Sequence, residues 1–449
     1  MNAAAPKPAL SRLSRRAALA LPLALTGCGL WHDWFGKIKP RLPGVRIPVL
    51  SARNALAVGA NPPKVALPPP VVNADWPQPG GNPAHDMGQL AARPVLAKLW
   101  ETGIGAGGGY RQKLLAPPVV ADGVVYTMDA QARVRAFDLA TGAARWHAAT
   151  RARHERGTNV GGGLALAGGV LYAATGLGDL VAFDAAHGTE RWRAPLGAPA
   201  RSGPTLVAGR AFVTTIDDQL RALDTAHGQL LWSYQATNAV TGLLGQPAPA
   251  YADGIVVGGF ASGEIAALRA DTGAVVWTDT LYALSIAGTL PDISSIRGMP
   301  AIADGRVVAV GMGGLAVGID LPSGRRLWAH AIAGEDSPWV AGDWAFLITL
   351  DQIITAIRLA DGTVGWATQL PRWKNAKHRS DPLTWFGPLL ADNRLIVTGT
   401  SREALAISPY TGAILGRQKL PGPAAAVEPV LAQQTLLLLT EDGRLIALR

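Results

Sequence analysis

This sequence predicts an all-β fold: an eight-bladed β-propeller of four-stranded antiparallel blades, closed by an N-terminal strand. Three observations carry that expectation. An eleven-residue pattern recurs in AFDLATGAARW (136–146), AFDAAHGTERW (182–192), ALDTAHGQLLW (222–232), ALRADTGAVVW (267–277), GIDLPSGRRLW (318–328), AIRLADGTVGW (356–366) and AISPYTGAILG (406–416). An Ala before a turn, at 121, 167, 208, 252, 303, 341 and 391, precedes the last residue of that pattern by 25 residues in six copies and by 24 in the third. Repetition this regular marks units that bury their faces against neighbouring copies of themselves. The composition agrees: 53 Gly, 33 Pro, 14 Trp and only 16% charged residues suit many short strands joined by tight turns.

Each unit reads as four strands. Apolar runs such as PPVVA, GGVLYAAT and RVRAFD are separated by Asp122-Gly123, Gly168-Gly169, Asp253-Gly254 and Asp304-Gly305, pairs that supply positive φ for two-residue hairpins. The glycine at the seventh pattern position, Gly142, Gly188, Gly228, Gly273, Gly324 and Gly362, falls where the third strand turns into the fourth. A Cβ there would obstruct a left-handed turn or a close approach. The tryptophan at the eleventh position, Trp146, Trp192, Trp232, Trp277, Trp328 and Trp366, lies on the fourth strand, where its ring can cover a neighbouring unit's backbone and glycine. These twelve residues are expected to be structural.

Counting blades depends on the two ends of the repeat. Residues 429–449 supply three strands, PVLA, TLLLLT and RLIALR, and lack the fourth. VLAKLW (95–100) provides it, because Trp100 precedes Trp146 by 46 residues, the step that also separates Trp146 from Trp192. Eight blades closed in this way leave no open end to the ring.

Ahead of the repeat stand two other regions. Residues 1–16 carry Lys7, Arg12, Arg15 and Arg16 and no acid, and an uncharged, mostly apolar run follows from Ala17 to Leu25. That is an export signal, too short for a permanent span. Leu25-Thr26-Gly27-Cys28 resembles a bacterial lipobox, in which the cysteine sulfur takes the lipid; Cys28 is the only cysteine in the chain. Acyl chains contribute about 0.8 kcal/mol per buried methylene, so a triacylated Cys28 would anchor the protein stably. Ser14-Arg15-Arg16 also looks like a twin-arginine signal. Gly29 after the cysteine, in place of an inner-membrane retention aspartate, favours the outer membrane. The expected organisation is a signal peptide over 1–27, a lipidated, Pro-rich basic tether over 28–75, and the propeller over 76–449. No other apolar run approaches the length of a span.

Composition and motifs exclude several functions. The net charge of +9 falls to +5 without the four signal-peptide cations, and the remaining bases are scattered, so no nucleic-acid partner is expected. With its cysteine lipidated, the mature chain offers no disulfide, Cys-rich metal site or haem attachment. Asp138, Asp184, Asp224 and Asp320 share one repeat position, and His187 and His227 share another, which marks them as structural. His154-Glu155 stands in a polar insert, and GIGAGGGY (103–110) lacks the lysine and hydroxyl of a phosphate loop. No metal, cofactor or catalytic residue is expected.

The AxDxxxGxxxW pattern resembles the tryptophan-docking repeat of pyrroloquinoline-quinone (PQQ) propellers, and DWPQPGGNPAH (75–85) resembles the entry strand of quinoprotein dehydrogenases. The alternative function that follows is a periplasmic PQQ-dependent dehydrogenase or other cofactor-binding propeller. Such enzymes carry a vicinal disulfide over the quinone, which one cysteine cannot form. Lipobox, tether and a propeller without quinone ligands together resemble the BamB family of the outer-membrane β-barrel assembly machinery. LPGVRIPVL (42–50) is similar to a segment of alphaproteobacterial members. That resemblance implies a non-catalytic scaffold, lipid-anchored at the periplasmic face of the outer membrane. Its partners would be the BamA POTRA domains, the rest of the barrel-assembly complex and unfolded outer-membrane proteins. Family members grip BamA through two inter-blade inserts, which correspond here to 237–247 and 282–300. The implied partner-binding residues are Leu243, Leu244, Asp292, Ser295 and Arg297, although Ser295-x-Arg297 stands where the family carries an aspartate pair. A third insert (370–387) interleaves Lys374, Lys377 and Arg379 with Trp373, Trp385 and Phe386, a composition that suits a protein interface.

Overall fold

The computed structural model describes residues 55–109, 113–151, 161–239, 245, 247–282, 294–423 and 425–449. Eight four-stranded antiparallel sheets form the blades of a β-propeller. In blade 1 the strands are Val119–Ala121, Val124–Met128, Arg133–Asp138 and Ala144–Ala149, paired in chain order. Blades 2 to 7 repeat this arrangement over 162–195, 205–235, 250–280, 301–330, 339–369 and 385–419. Blade 8 takes Val430–Ala432, Thr435–Leu439 and Arg444–Leu448, and its outermost strand is Lys98–Gly103. The closing strand thus begins three residues later than VLAKLW suggested, with Trp100 paired opposite Ala447. A ninth, two-stranded sheet, Trp373–Asn375 with Ser380–Pro382, rises from the 370–387 insert. Among the described residues there is no α-helix, and none that could cross a membrane.

Local chemistry sets each blade. Asp122 and Gly123 sit at φ 51° and 71°, and Asp253-Gly254 and Asp304-Gly305 repeat the geometry, which twists the hairpin as its strands require. Asp138 Oδ1 accepts the amides of Ala140 and Thr141 at 3.1 and 3.0 Å, closing the turn into the outer strand. Asp184 and Asp224 do the same one and two blades on. Across the outer pair a small residue faces each tryptophan: Ala136 opposite Trp146, Ala182 opposite Trp192, Gly318 opposite Trp328.

Burial lies between blades. Strands such as Val124–Met128 and Trp344–Ile348 are buried at every position, because both faces of a blade meet a neighbour. One apolar cluster joins blade 1 to blade 2 (Tyr126, Val134, Leu164, Phe183), and comparable clusters join each later pair. A larger one binds blades 7, 8 and 1. Fully burying an aliphatic or aromatic side chain contributes about 1.5–3 kcal/mol, so the ring is held by these interfaces rather than by any single blade.

The tryptophans hold the interfaces in register. Trp146 stacks on Gly188 of the following blade, where an added Cβ would lie 2.4 Å from the ring, and its Nε1 donates to Ala185 O at 2.9 Å. Trp100, Trp232, Trp277, Trp328 and Trp366 likewise donate to carbonyls of the next blade, over Gly142, Gly273, Gly324, Gly362 and Gly412. Trp192 covers Gly228. Each ring therefore covers the glycine of the following copy, not of its own.

Of the segment expected as a tether, residues 28–54 lie outside the described residues and 55–75 lie within them. Most of residues 55–75 are exposed, but Leu56 enters the blade 5–6 cluster, Val65 enters the blade 6–7 cluster, and both His330 nitrogens lie within 2.8 Å of carbonyl oxygens, those of Ala55 and Gly362. From Asn73 the chain then visits every blade in turn. Gln433 N of blade 8 donates to Asn73 O (2.9 Å); Trp76 exchanges two backbone bonds with Val120 of blade 1; Leu166 N of blade 2 donates to Pro77 O (2.7 Å). Leu206 N of blade 3 donates to Gln78 Oε1 (2.8 Å), Tyr251 N of blade 4 to Pro83 O (2.7 Å) and Ile302 N of blade 5 to Ala84 O (2.8 Å). Trp339 Nε1 of blade 6 donates to Gly88 O (2.8 Å), and Asp392 N of blade 7 to Leu90 O (2.8 Å). Prolines suit such a strap, since they fix an extended backbone and keep their carbonyls free to accept. The stretch read as an entry strand is thus a circular strap against the inner strands.

Candidate functional site: the mouth of the central channel

Connections between blades converge on a cavity of about 900 Å³ at the channel mouth. Arg201 comes from the 2–3 connection, Arg297 from 4–5, Glu335 and Asp336 from 5–6, Phe386 from the start of blade 7 and Glu428 from 7–8, while Pro79 of the strap contributes from below. Each charged residue precedes an inner strand by two to four positions. Arg297 Nη1 forms an ion pair with Glu335. Burial, with Glu428 and Glu335 nearby, pushes the Asp336 carboxyl well above the usual range, and burial raises Glu428 as well.

A smaller cavity adjoins it, sharing Met299, Ser337 and Glu428 and walled by Trp76 and Trp339, whose ring centroids lie 6.2 Å apart. His85 of the strap borders it at φ 58°. Its Nδ1 donates to Pro300 O at 2.7 Å, because a carbonyl can only accept; Nε2 is left with a buried lone pair and no hydrogen bond. Burial, opposed in part by the Pro300 bond, pulls the His85 pKa from 6.5 down to about 4.

The expected partner-binding residues fare differently. Cys28, Leu243, Leu244 and Asp292 lie outside the described residues. Arg297 reaches the channel mouth beside Gly245, where the two inserts meet. Ser295 is 1% exposed, its carbonyl taken by Met312 N, so it presents nothing to a docking protein. In the third insert Trp385 is fully buried and donates to Pro371 O at 2.8 Å, whereas Lys374, Lys377 and Arg379 are exposed on the added hairpin. Glu335, Asp336, Glu428 and His85 were not singled out by the sequence; the one signal for the three acids is a charged residue at a similar offset ahead of inner strands.

The channel carboxylates are paired with a guanidinium or crowded against each other, and among the described residues no group of three or more His, Cys, Asp or Glu could hold a metal ion. They do not fit the Ca²⁺ cage that a bound quinone would need. His187 and His227 sit on exposed turns beside Asp184 and Asp224, as repeat positions should.

Fold and site together define a tryptophan-docked, eight-bladed propeller. The sequence pattern of the outer membrane protein assembly factor BamB family matches residues 130–368 and 371–449, and the chain belongs to that family. The chain is 27% identical over 368 residues to the outer membrane protein assembly factor BamB of Burkholderia pseudomallei, covering 80% of this chain and 89% of that one. For the Escherichia coli K12 factor of the same name the identity is 25% over 373 residues, with 81% and 92% covered. The crystal structure of BamB from Moraxella catarrhalis superposes with a TM-score of 0.65 at 20% identity, covering 79% of this chain and all of that one. A quinohemoprotein alcohol dehydrogenase from Pseudomonas putida HK5 gives a TM-score of 0.62 at 14% identity over 84% of this chain and 80% of that one, and shares the fold alone. Membership in a family of assembly factors makes the chain a non-catalytic protein of the outer-membrane assembly machinery.

Proposed function

We propose that this protein is a scaffold lipoprotein that docks on the POTRA domains of BamA and helps deliver unfolded barrel precursors, held at the periplasmic face of the outer membrane by lipid on Cys28. The observation that carries the reading is the family match across nearly every blade. The channel mouth supports it, because its charged groups are arranged for contact rather than for chemistry. Arg297 is half-buried beside Glu335, in the insert expected to face the partner. Docking there would exchange one carboxylate partner for another, and such a desolvated guanidinium is a common interface anchor.

The test is co-purification of BamA from native outer membranes. Arg297→Glu combined with Leu243→Asp is expected to lower BamA recovery at least about tenfold, as loss of an interface anchor predicts. Recovery equal to wild type would overturn this docking surface. Cys28→Ser is expected to move the protein from the membrane fraction to the soluble periplasm; unchanged fractionation would overturn the anchor.

A further inference from the structure

Seven of the eight blade interfaces are closed by a tryptophan of one outer strand set over a glycine turn of the next blade. The interface between blades 7 and 8 lacks both halves of that pair. Gly416 stands at the tryptophan position of blade 7, on the strand Ile414–Lys419. Blade 8 has no turn from its third strand to its outer strand, because Lys98–Gly103 supplies the latter. The result is a cavity of about 670 Å³, open to solvent and lined mainly by apolar groups, among them Leu96, Ile396, Leu405, Leu420, Leu436 and Leu448. A Cβ added at Gly416 would meet no atom within 4 Å, whereas Cβ atoms at the glycines under the seven rings would collide with indole carbons.

The strand beside the cavity is also unusual. Ile414–Lys419 is exposed at all six positions, and Ile414 and Leu415 are 44% and 57% exposed. Across the cavity, Val95 and Leu99 are 77% and 45% exposed. Exposed apolar pairs occur on other outer strands, Leu230-Leu231 and Val275-Val276, but there the neighbouring socket is filled by the protein's own indole. Gln418 Nε2 donates to Leu96 O at 2.9 Å and bridges the cavity rim without filling it.

We propose that the blade 7–8 interface is a socket for an aromatic side chain supplied by a partner polypeptide in extended conformation. The repeat itself specifies the occupant, since the equivalent space holds an indole at every other interface. Ile414–Lys419 pairs only with Glu403–Ile407 and leaves its outer edge free to add a strand. On an added strand, a residue opposite Gly416 has its Cβ within about 5.5 Å of that position. An aromatic ring there can lie across the glycine and enter the cavity, as aromatic residues cover edge glycines in sheets. The socket is separate from the channel mouth, and the proposal does not rest on docking to BamA.

The test uses the full-length protein in detergent and a blocked peptide of alternating threonine and valine with a central tryptophan, set against the same peptide with alanine at the centre. Wild type is expected to bind the tryptophan peptide at least about tenfold more tightly, the return on burying one aromatic ring in a preformed apolar site. Gly416→Trp should fill the socket from within, as the sister blades do, and abolish that preference while the protein stays folded. Ala406→Leu, on the paired strand, should weaken the preference independently, which keeps the test decisive if the first variant misfolds. Equal affinity for the two peptides on wild type, no binding of either, or an unchanged preference in both variants would overturn the proposal.

Discussion

Replacing His85 with asparagine should remove a defined part of the protein's sensitivity to mild acid. In the folded protein the imidazole is neutral, with a pKa of about 4 against 6.5 for an unperturbed histidine. Unfolding therefore takes up a proton whenever the pH lies between those values, so the stability this burial allows is present above 6.5 and is lost as pH falls towards 4. At about 1.36 kcal/mol per pH unit, the whole interval corresponds to about 3.4 kcal/mol, of which about 2 kcal/mol is already lost at pH 5. Asparagine is the informative substitute: its amide nitrogen can take the place of Nδ1 and donate to Pro300 O, and it tolerates the positive φ at this position. It carries no titrating group. The raised carboxyls of Asp86 and Glu428 respond to pH with the opposite sign in both proteins, so the difference between the two isolates His85. Urea unfolding followed by tryptophan fluorescence at pH 7, 6, 5 and 4.5 gives the comparison. The variant is expected to start less stable at pH 7, having lost packing, and then to fall less steeply than wild type, the gap closing by about 2 kcal/mol at pH 5. Parallel curves from pH 7 to 4.5 would refute the reasoning, and with it the neutral, buried imidazole.

Three further outcomes follow from the blades and the strap. Gly188→Ala, at φ 71° with a Cβ 2.4 Å from Trp146, should cost about 2–4 kcal/mol in chemical denaturation, whereas Gly123→Ala, at the same φ with open space around it, should cost about 1; equal costs would remove the role assigned to the ring. Gln78→Ala deprives the buried Leu206 amide of its acceptor and should cost about 1–3 kcal/mol by the same measurement. Asp336→Asn should stabilise the protein at neutral pH, because a carboxyl raised by burial adds stability only below its unfolded value and loses it as pH rises; the gain should vanish below about pH 4, and no gain at pH 7 would contradict the crowding of carboxylates at the channel mouth.

The blades were legible in the sequence because their determinants are local. Gly142 and Trp146 report a turn and an outer strand within a few residues of each other, and the same spacing recurs wherever the geometry does. The strap was not legible, since the blade partners that place it lie far along the chain and prolines carry no period. Nothing near Leu56 or Val65 announces that those side chains enter interfaces hundreds of residues away. Ser295 misled for a related reason. The resemblance aligned Ser295 with a partner-contacting aspartate, but here Ser295 O accepts from Met312 N and the side chain is enclosed. The channel carboxylates escaped notice because each stands alone in sequence and acquires its neighbours only when the ring closes.

The strap also bears on the order in which the molecule can be assembled. Asn73 meets Gln433, Trp76 meets Val120 and Leu90 meets Asp392, so one short segment spans sequence separations from tens to hundreds of residues. Individual hairpins can form early, since their contacts are local, but the strap has no complete surface to lie on until the last blade exists. A chain emerging N-terminus first must hold this segment unpaired throughout synthesis. Its docking is then a late step, one that registers whether all eight blades have formed and converts a series of independently adjustable units into a single cooperative one.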